Sequence, residues 1–416
     1  MLSDAEILKA LFQAALEAAL PDGKFAGVLP ERPKGRTIVL GAGKASARMA
    51  AAFEAAWEKV GGTCEGLVVT RYDHAVPTRF IEIVEAAHPV PDEAGLKAAG
   101  RILKLAEQAG PDDLVVCLIS GGASALLALP AEGLTLADKQ MVNKALLSSG
   151  MPIGAMNRVR KSLSAIKGGR LAARIGGARL VTYLISDVPG DSPASIGSGP
   201  TIPEPSEPQE VLALLREYAI TVPERIEAAI RANAVAAPAN GGEIHMLATP
   251  HMALQAAATK ARALGFTPLI LGDAIEGEAR EVARVMAGIA RSVVVHGEPV
   301  RPPCVLLSGG ETTVTLRGKG RGGRNAELLL ALALATRDLP TVSAIACDTD
   351  GIDGSEDNAG AWFDHSLHER AAMTGVDLAA SLADNDAYTA FKALDSLVMT
   401  GPTFTNVNDF RCILVR

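Results

Sequence analysis

The sequence predicts an α/β protein of two domains, and three observations carry that prediction. Its 416 residues, 48% of them hydrophobic, exceed what a single ordinary core accommodates. Short β-branched runs alternate with helical segments along much of the chain, the grammar of parallel α/β architecture. A proline-rich stretch, Thr201 to Pro208, and the small-residue run Ala236 to Gly242 bracket a junction between about Pro200 and Pro238.

The elements follow in order. Asp4 precedes a helical pattern that runs through Leu20. Arg36 to Leu40 is a short strand entering Gly41-Ala42-Gly43-Lys44, and an alanine-rich helix comes next. Leu67 to Thr70 reads as the following strand. The same pattern recurs at Leu114 to Ser120, Leu180 to Asp187, Glu243 to Ala248 and Pro268 to Gly272. Helices are expected at Val211 to Tyr218, Pro223 to Asn233, Met252 to Leu264 and Gly277 to Val295. A segment dense in motifs then runs from Cys304 to Asn408.

Composition excludes several function classes. A net charge of -7 opposes broad nucleic-acid or anionic-membrane binding, which needs a dominant basic face. Five widely separated cysteines fit buried reduced thiols better than disulfides or a zinc site. The acidic, amphipathic start is wrong for a secretory signal, and the longest apolar stretch, around Leu328 to Thr336, is too short to span a bilayer. A soluble cytoplasmic protein is expected.

Four glycine-rich turns carry the functional signal: Gly41-Ala42-Gly43-Lys44, Ser120-Gly121-Gly122-Ala123-Ser124, Ser308-Gly309-Gly310-Glu311 and Gly322-Gly323-Arg324-Asn325. Turns without a Cβ expose backbone N–H groups, and a following helix adds its positive end, so such turns hold anions. Together they point to a phosphate-handling enzyme. The first turn is an incomplete dinucleotide fingerprint. Ser46 stands in place of the third glycine, and Arg71, not an acid, ends the next strand. It is not a P-loop either, and an ordinary helix start explains it equally well. Lys44 strengthens the ligand reading, because a lysine at a helix start opposes the dipole and calls for an anion.

The Ser120 to Ser124 turn suits a carboxylate or phosphate oxygen, with a capped tight turn as its plain alternative. The block from Asn157 to Arg170 places five cations within fourteen residues; a solvated basic face is the usual account, so it ranks second. Asp187 and Asp191, after a buried strand, could hold Mg²⁺ or accept a hydroxyl proton, although turn capping accounts for Asp191 equally well. The loop from Asp348 to Asp357 has no EF-hand register, which leaves room only for a sparse magnesium site completed by phosphate and water. No serine or cysteine sits in a nucleophile elbow. His88, in His88-Pro89-Val90-Pro91-Asp92, reads as a loop histidine.

Taken jointly, these segments resemble the class II glycerate kinases of the MOFRL family, some of whose members are named tartrate-utilisation hydroxypyruvate reductases. The matches extend to Ser186-Asp187-Val188-Pro189-Gly190-Asp191, Ser198-Gly199-Pro200-Thr201, Asp348-Thr349-Asp350-Gly351-Ile352-Asp353-Gly354 and Thr405-Asn406-Val407-Asn408-Asp409. The resemblance implies a Rossmann-like parallel-sheet domain over residues 1–237 and a smaller MOFRL-type α/β domain over 238–416, with the active site in the cleft between them. It implies ATP-dependent phosphorylation of D-glycerate at the 2-hydroxyl, with Mg²⁺. In that reading Lys44 and Arg324 neutralise the phosphates and the charge developing in transfer. Ser120, Gly121, Gly122, Ala123 and Ser124 hold the substrate, and Asp187 serves as base or metal ligand. Gly41, Gly43, Glu311, Asn325, Asp350 and Asn406 form the nucleotide side, and Asp187, Asp191 and Asp350 are the metal candidates. Two departures stand out: Ser162 where the family often has histidine, and Phe404 where it often has glycine. The rival enzyme reading is an NAD(P)H-dependent hydroxypyruvate reductase, and the non-enzymatic one a small-molecule sensor. Nothing in the sequence opposes a homo-oligomer.

Overall fold

The computed structural model describes residues 2–205, 207–233 and 242–416. The chain divides into two compact units. The first spans residues 21–186 and 191–247. Its strands are β1 (Thr37–Ala42), β2 (Glu65–Arg71), β3 (Ile81–Ala86), β4 (Leu114–Ile119), β5 (Arg179–Ile185) and β6 (Glu243–Ala248). They form one sheet in the order β3-β2-β1-β4-β5-β6, and every pair from β3 to β5 is parallel. This is the doubly wound order of a dinucleotide-binding sheet. β1 and β4 are buried along their whole length, as strands covered on both faces must be, which is why their sequences are continuously apolar rather than alternating. The helix Ser46–Lys59 lays Met49, Ala50, Phe53 and Trp57 into the core, where Phe25, Phe53 and Tyr183 meet as an aromatic cluster.

Gly41 lies inside β1, not in an open turn. A Cβ there would stand 2.4 Å from the Leu118 carbonyl oxygen, so only glycine lets β1 and β4 approach. Gly43 has φ 134°, and its Cβ would fall 2.1 Å from Ser120 Oγ.

The second unit collects residues up to Leu20, Asp187–Gly190 and 248–416. Its main strands are β7 (Thr267–Gly272), β9 (Cys304–Gly310), β11 (Val342–Asp348), β12 (Gly360–Phe363), β13 (Leu397–Val398) and β14 (Asp409–Val415); β8 (Gly277–Glu278) and β10 (Thr312–Thr313) form a separate short ribbon. The main sheet runs β13-β12-β11-β14-β9-β7 and is mixed, with β14 inserted antiparallel between β11 and β9. Alternation of strands and helices predicted parallel pairing; here the last strand of the chain returns through the centre and reverses it.

The amino-terminal helix, Asp4–Ala19, starts with a capping box between Ser3 and Glu6 and buries Ile7, Leu8, Leu11, Phe12, Ala15 and Leu16. It packs in the second unit against the helix Pro250–Ala263 and β14, with Phe12 and Phe410 ring centroids 5.6 Å apart. Asp4 pairs with Arg416 at 2.6 Å and accepts from Ser343 Oγ at 2.6 Å. The first twenty residues, expected within the domain over 1–237, therefore group with the carboxyl-terminal part. The expected boundary at 237/238 lies outside the described residues. Among the described residues, no helix is long and apolar enough to cross a membrane.

Candidate active site

In the first unit the candidate residues gather at the carboxyl ends of β1 and β4. The backbone of the first glycine turn is already engaged. Gly43 N–H donates to Val69 O (3.0 Å), Lys44 N–H to Gly121 O (2.8 Å) and Ala45 N–H to Ser120 Oγ (3.0 Å). These bonds stitch β1, β2 and β4 together, so the amides expected to cradle a nucleotide at Gly41 and Gly43 serve the fold instead. The side chain of Lys44 beyond them is half-buried. A Cβ on Gly122 (φ 81°) would lie 3.2 Å from Lys44 Cγ and 3.1 Å from His88 Nε2. Lys44, His88 and Gly122 thus meet, with His88 in the loop after β3 as expected from sequence. Asp92, from the same motif, caps the helix Glu93–Glu107 by accepting from Gly95 N–H at 3.0 Å.

The second turn is divided in role. Ser120, Gly121 and Ala123 are buried; Ser120 Oγ is the acceptor for Ala45, and Ala123 packs on Gly197. Gly122 and Ser124 remain partly exposed, and Ser124 Oγ lies 2.5 Å from Ser198 Oγ. Lys167, in the basic block ranked second from sequence, donates to Ser124 O at 2.6 Å. The structure thereby brings Lys167 to the turn; its sequence signals were the crowding of cations around it, the Gly168-Gly169 pair beside it and the family resemblance over Asn157 to Gly169.

In the second unit Arg324 is the centre. It is the first residue of the helix Arg324–Ala335. Its Nε donates to both oxygens of Asp409 (2.9 and 3.1 Å), its Nη2 to Asp348 Oδ2 (2.7 Å), and Nη1 lies 3.4 Å from Glu311 Oε1. Asp348 ends β11 and Asp409 begins β14, and the two are register partners, so two buried carboxylates stand side by side with the guanidinium between them. Burial alone would weaken the arginine as a cation; Asp409, Asp348 and Glu311 outweigh it and hold Arg324 firmly protonated.

The fourth glycine turn is also capped from within. Asp353 accepts from the backbone N–H groups of Asn325 (2.9 Å) and Ala326 (2.8 Å), occupying the helix start expected to receive a phosphate. A Cβ on Gly323 would strike that carboxylate at 2.3 Å, which explains the glycine. Burial pushes the Asp353 carboxyl up to about 6, the two amides working the other way. Asn325 Nδ2 donates to Asp409 Oδ1 at 2.7 Å.

Asp187 joins this set. Its Oδ2 accepts from Asn406 Nδ2 (2.9 Å) and its carbonyl oxygen from Asn408 Nδ2 (2.5 Å), while Asn408 O receives both the N–H and Oγ1 of Thr349. Asp350 lies next, its N–H bonded to Asp348 Oδ1 and its own Oδ1 to Ile352 N–H. Asp187, Asp350, Asn406, Glu311, Asn325 and Arg324 therefore belong to one network. Asp409 and Asn408 complete it, although sequence reading gave them no role. Asp191 belongs to the other unit; it sits at φ 52°, and its buried Oδ1 has no hydrogen-bond partner. Among the described residues no three acidic, histidine or cysteine side chains gather into a metal cage. The donor set fits Mg²⁺ only in its sparse form, on one or two carboxylates with the rest of the shell from phosphate and water.

A profile of a domain of unknown function (DUF4147) matches residues 7–231, more than half of the chain, and that of the MOFRL family matches residues 304–409. The chain belongs to the MOFRL family. The MOFRL segment contains Arg324, Asp348, Asp353 and Asp409, the network just described. A protein of Agrobacterium vitis, provisionally named hydroxypyruvate reductase, is 53% identical over 99% of this chain and 94% of its own length. The D-glycerate 2-kinase of Thermotoga maritima is 39% identical over 98% of both chains. A crystal structure of a glycerate kinase from the same organism superposes with a TM-score of 0.91 at 38% identity, covering 99% of each chain.

Proposed function

We propose that this MOFRL-family member is a glycerate kinase, transferring the terminal phosphoryl group of ATP to the 2-hydroxyl of D-glycerate with Mg²⁺. The observation that carries the reading is the fixed guanidinium of Arg324, clamped by Asp409 and Asp348 in the unit that also holds Asp187 and Asn406. Phosphoryl transfer asks the protein mainly for positioning and for cations at the equatorial oxygens. Arg324 and Lys44 are assigned to those oxygens, and Gly122 and Ser124 to the acid. The 2-hydroxyl oxygen attacks phosphorus, the bond to the bridging oxygen breaks, and ADP leaves with its electron pair. Asp187, oriented by Asn406, receives the hydroxyl proton. Bound Mg²⁺ would supply further neutralisation of phosphate charge, and Asp350, in the unit that holds Arg324, is the carboxylate assigned to it.

The reductase name of the Agrobacterium relative gains no support from the first glycine turn. Its amides are bonded to protein oxygens, and Arg71 ends β2 where an acid would meet a ribose. A single preparation tests both readings: D-glycerate with ATP and Mg²⁺, following 2-phosphoglycerate, beside hydroxypyruvate with NADH or NADPH, following cofactor oxidation. Formation of 2-phosphoglycerate is expected; cofactor oxidation without it would overturn the reading.

A further inference from the structure

A cavity of about 260 Å³ opens beside Ser124 in the first unit. Pro89 and Ser124 on its wall tie it to the place where His88, Gly122 and Lys44 meet. One side is apolar, built from residues such as Leu136, Val142 and Leu163; the other carries Lys139, Arg160 and Lys167.

All three cations bond only to neutral oxygens. Lys167 Nζ donates to Ser124 O (2.6 Å), Lys139 Nζ to Leu129 O (3.4 Å), and Arg160 to the side-chain oxygens of Asn143 (2.7 Å) and Asn157 (3.2 Å). Among the described residues none of them meets a carboxylate, whereas neighbouring Lys161 pairs with Glu204. Burial, then the charges of Lys139, Arg160 and Lys161, push the Lys167 ammonium well below its ordinary range, and burial lowers Lys139 to about 8. A cavity wall built only for packing would be more stable with apolar side chains of similar volume. In a chain of net charge -7, three converging unpaired cations call for a ligand of opposite sign.

We infer that this cavity binds a small organic dianion, a hydroxy acid bearing a second acidic group, seated on Arg160, Lys167 and Lys139. One carboxylate would leave two of the three charges unmatched; two acidic groups leave one. The ligand is then a 2-hydroxy dicarboxylate or a phosphorylated hydroxy acid; both carry two acidic groups and at least two negative charges, the phosphorylated one about -2.5 to -3 near pH 7. The inference deepens the proposed function by naming what the acid-binding side of that site prefers, and rests on it only for the hydroxy-acid skeleton.

The test is calorimetric titration of the full chain with D-glycerate, hydroxymalonate and 2-phosphoglycerate at one fixed salt concentration. At least one dianion is expected to bind about tenfold or more tightly than D-glycerate, and Lys139→Gln and Arg160→Gln each to weaken it by about tenfold, the scale of one lost charge-assisted contact. Preference for hydroxymalonate identifies a dicarboxylate ligand, and preference for 2-phosphoglycerate a phosphorylated one. Equal affinity for mono- and dianions, or dianion binding unmoved in both variants, overturns the inference. Lys167→Met adds a third arm if it folds; the two half-buried positions suffice without it. Because binding is read directly, a chain that makes 2-phosphoglycerate but shows no dianion preference defeats this inference alone, and the converse result defeats the kinase reading alone.

Discussion

Single residues carry the sharpest expectations. Arg324→Ala should lower turnover by about a thousandfold if the guanidinium meets transferring phosphate. The same change takes the guanidinium away from Asp348 and Asp409, of which Asp409 keeps Arg411 at 2.6 Å, a loss of up to about 3–5 kcal/mol when a buried pair is broken. The double variant Arg324→Ala/Asp348→Asn separates the two effects: its urea midpoint should partly recover while its turnover does not. Arg324→Lys is expected to behave like the alanine variant in steady-state kinetics, because one ammonium cannot reproduce a planar fork held on several sides. Lys139 gives a pH signature. Its ammonium titrates near 8 in the folded chain and near its ordinary value of about 10.4 when unfolded. Between those values the unfolded chain binds more protons, so stability should rise with pH from 8 to 10. Urea midpoints at pH 7.5 and 9.5 check this: the rise should shrink in Lys139→Gln.

At the scale of elements, the glycine turns teach the clearest lesson about sequence. The six strands placed from sequence were readable to within about two residues, because buried β-branched runs end sharply at glycine, serine or aspartate, whereas β3 and the strands from Cys304 onward were not placed. The purpose of the glycines was not readable. Gly41, Gly43 and Gly323 look like an anion cradle along the chain, yet each answers a neighbour distant in sequence: Leu118, Ser120 and Asp353. The same blindness to long-range partners put the basic block second, since the absence, among the described residues, of carboxylates around Arg160 and Lys167 is a fact of packing. Two predictions follow from the elements themselves. Gly41→Ala should cost about 1–3 kcal/mol by overpacking β1 against β4, read as a lowered thermal midpoint. Asp353→Ala removes the acceptor of two helix-start amides and should cost about 1–2 kcal/mol. The Asp353 carboxyl, raised to about 6, contributes stability below its ordinary value near 3.9 that is lost as pH rises through 6.

At the scale of the molecule, the parallel sheet was largely legible because its strands other than β3, which sequence reading did not place, announce themselves locally. The mixed sheet and the allegiance of the amino-terminal helix were not, because an amphipathic helix names the face it hides but never what hides it. A chain beginning at Pro21 should keep the parallel-sheet unit while exposing the apolar surface that Leu8, Leu11 and Phe12 cover in the other. Calorimetry and limited proteolysis should show selective loss within residues 248–416, and a full-length protein showing no such difference would contradict the assignment.

That pairing of beginning with end also sets a timetable for biosynthesis. The helix Asp4–Ala19 is made well before its partners, the helix Pro250–Ala263 and β14, the second of which follows it by about 390 residues. At ordinary elongation speeds its greasy side waits roughly 20 to 80 s for shelter. Nascent chains of this enzyme should therefore be clients of holding chaperones over that interval.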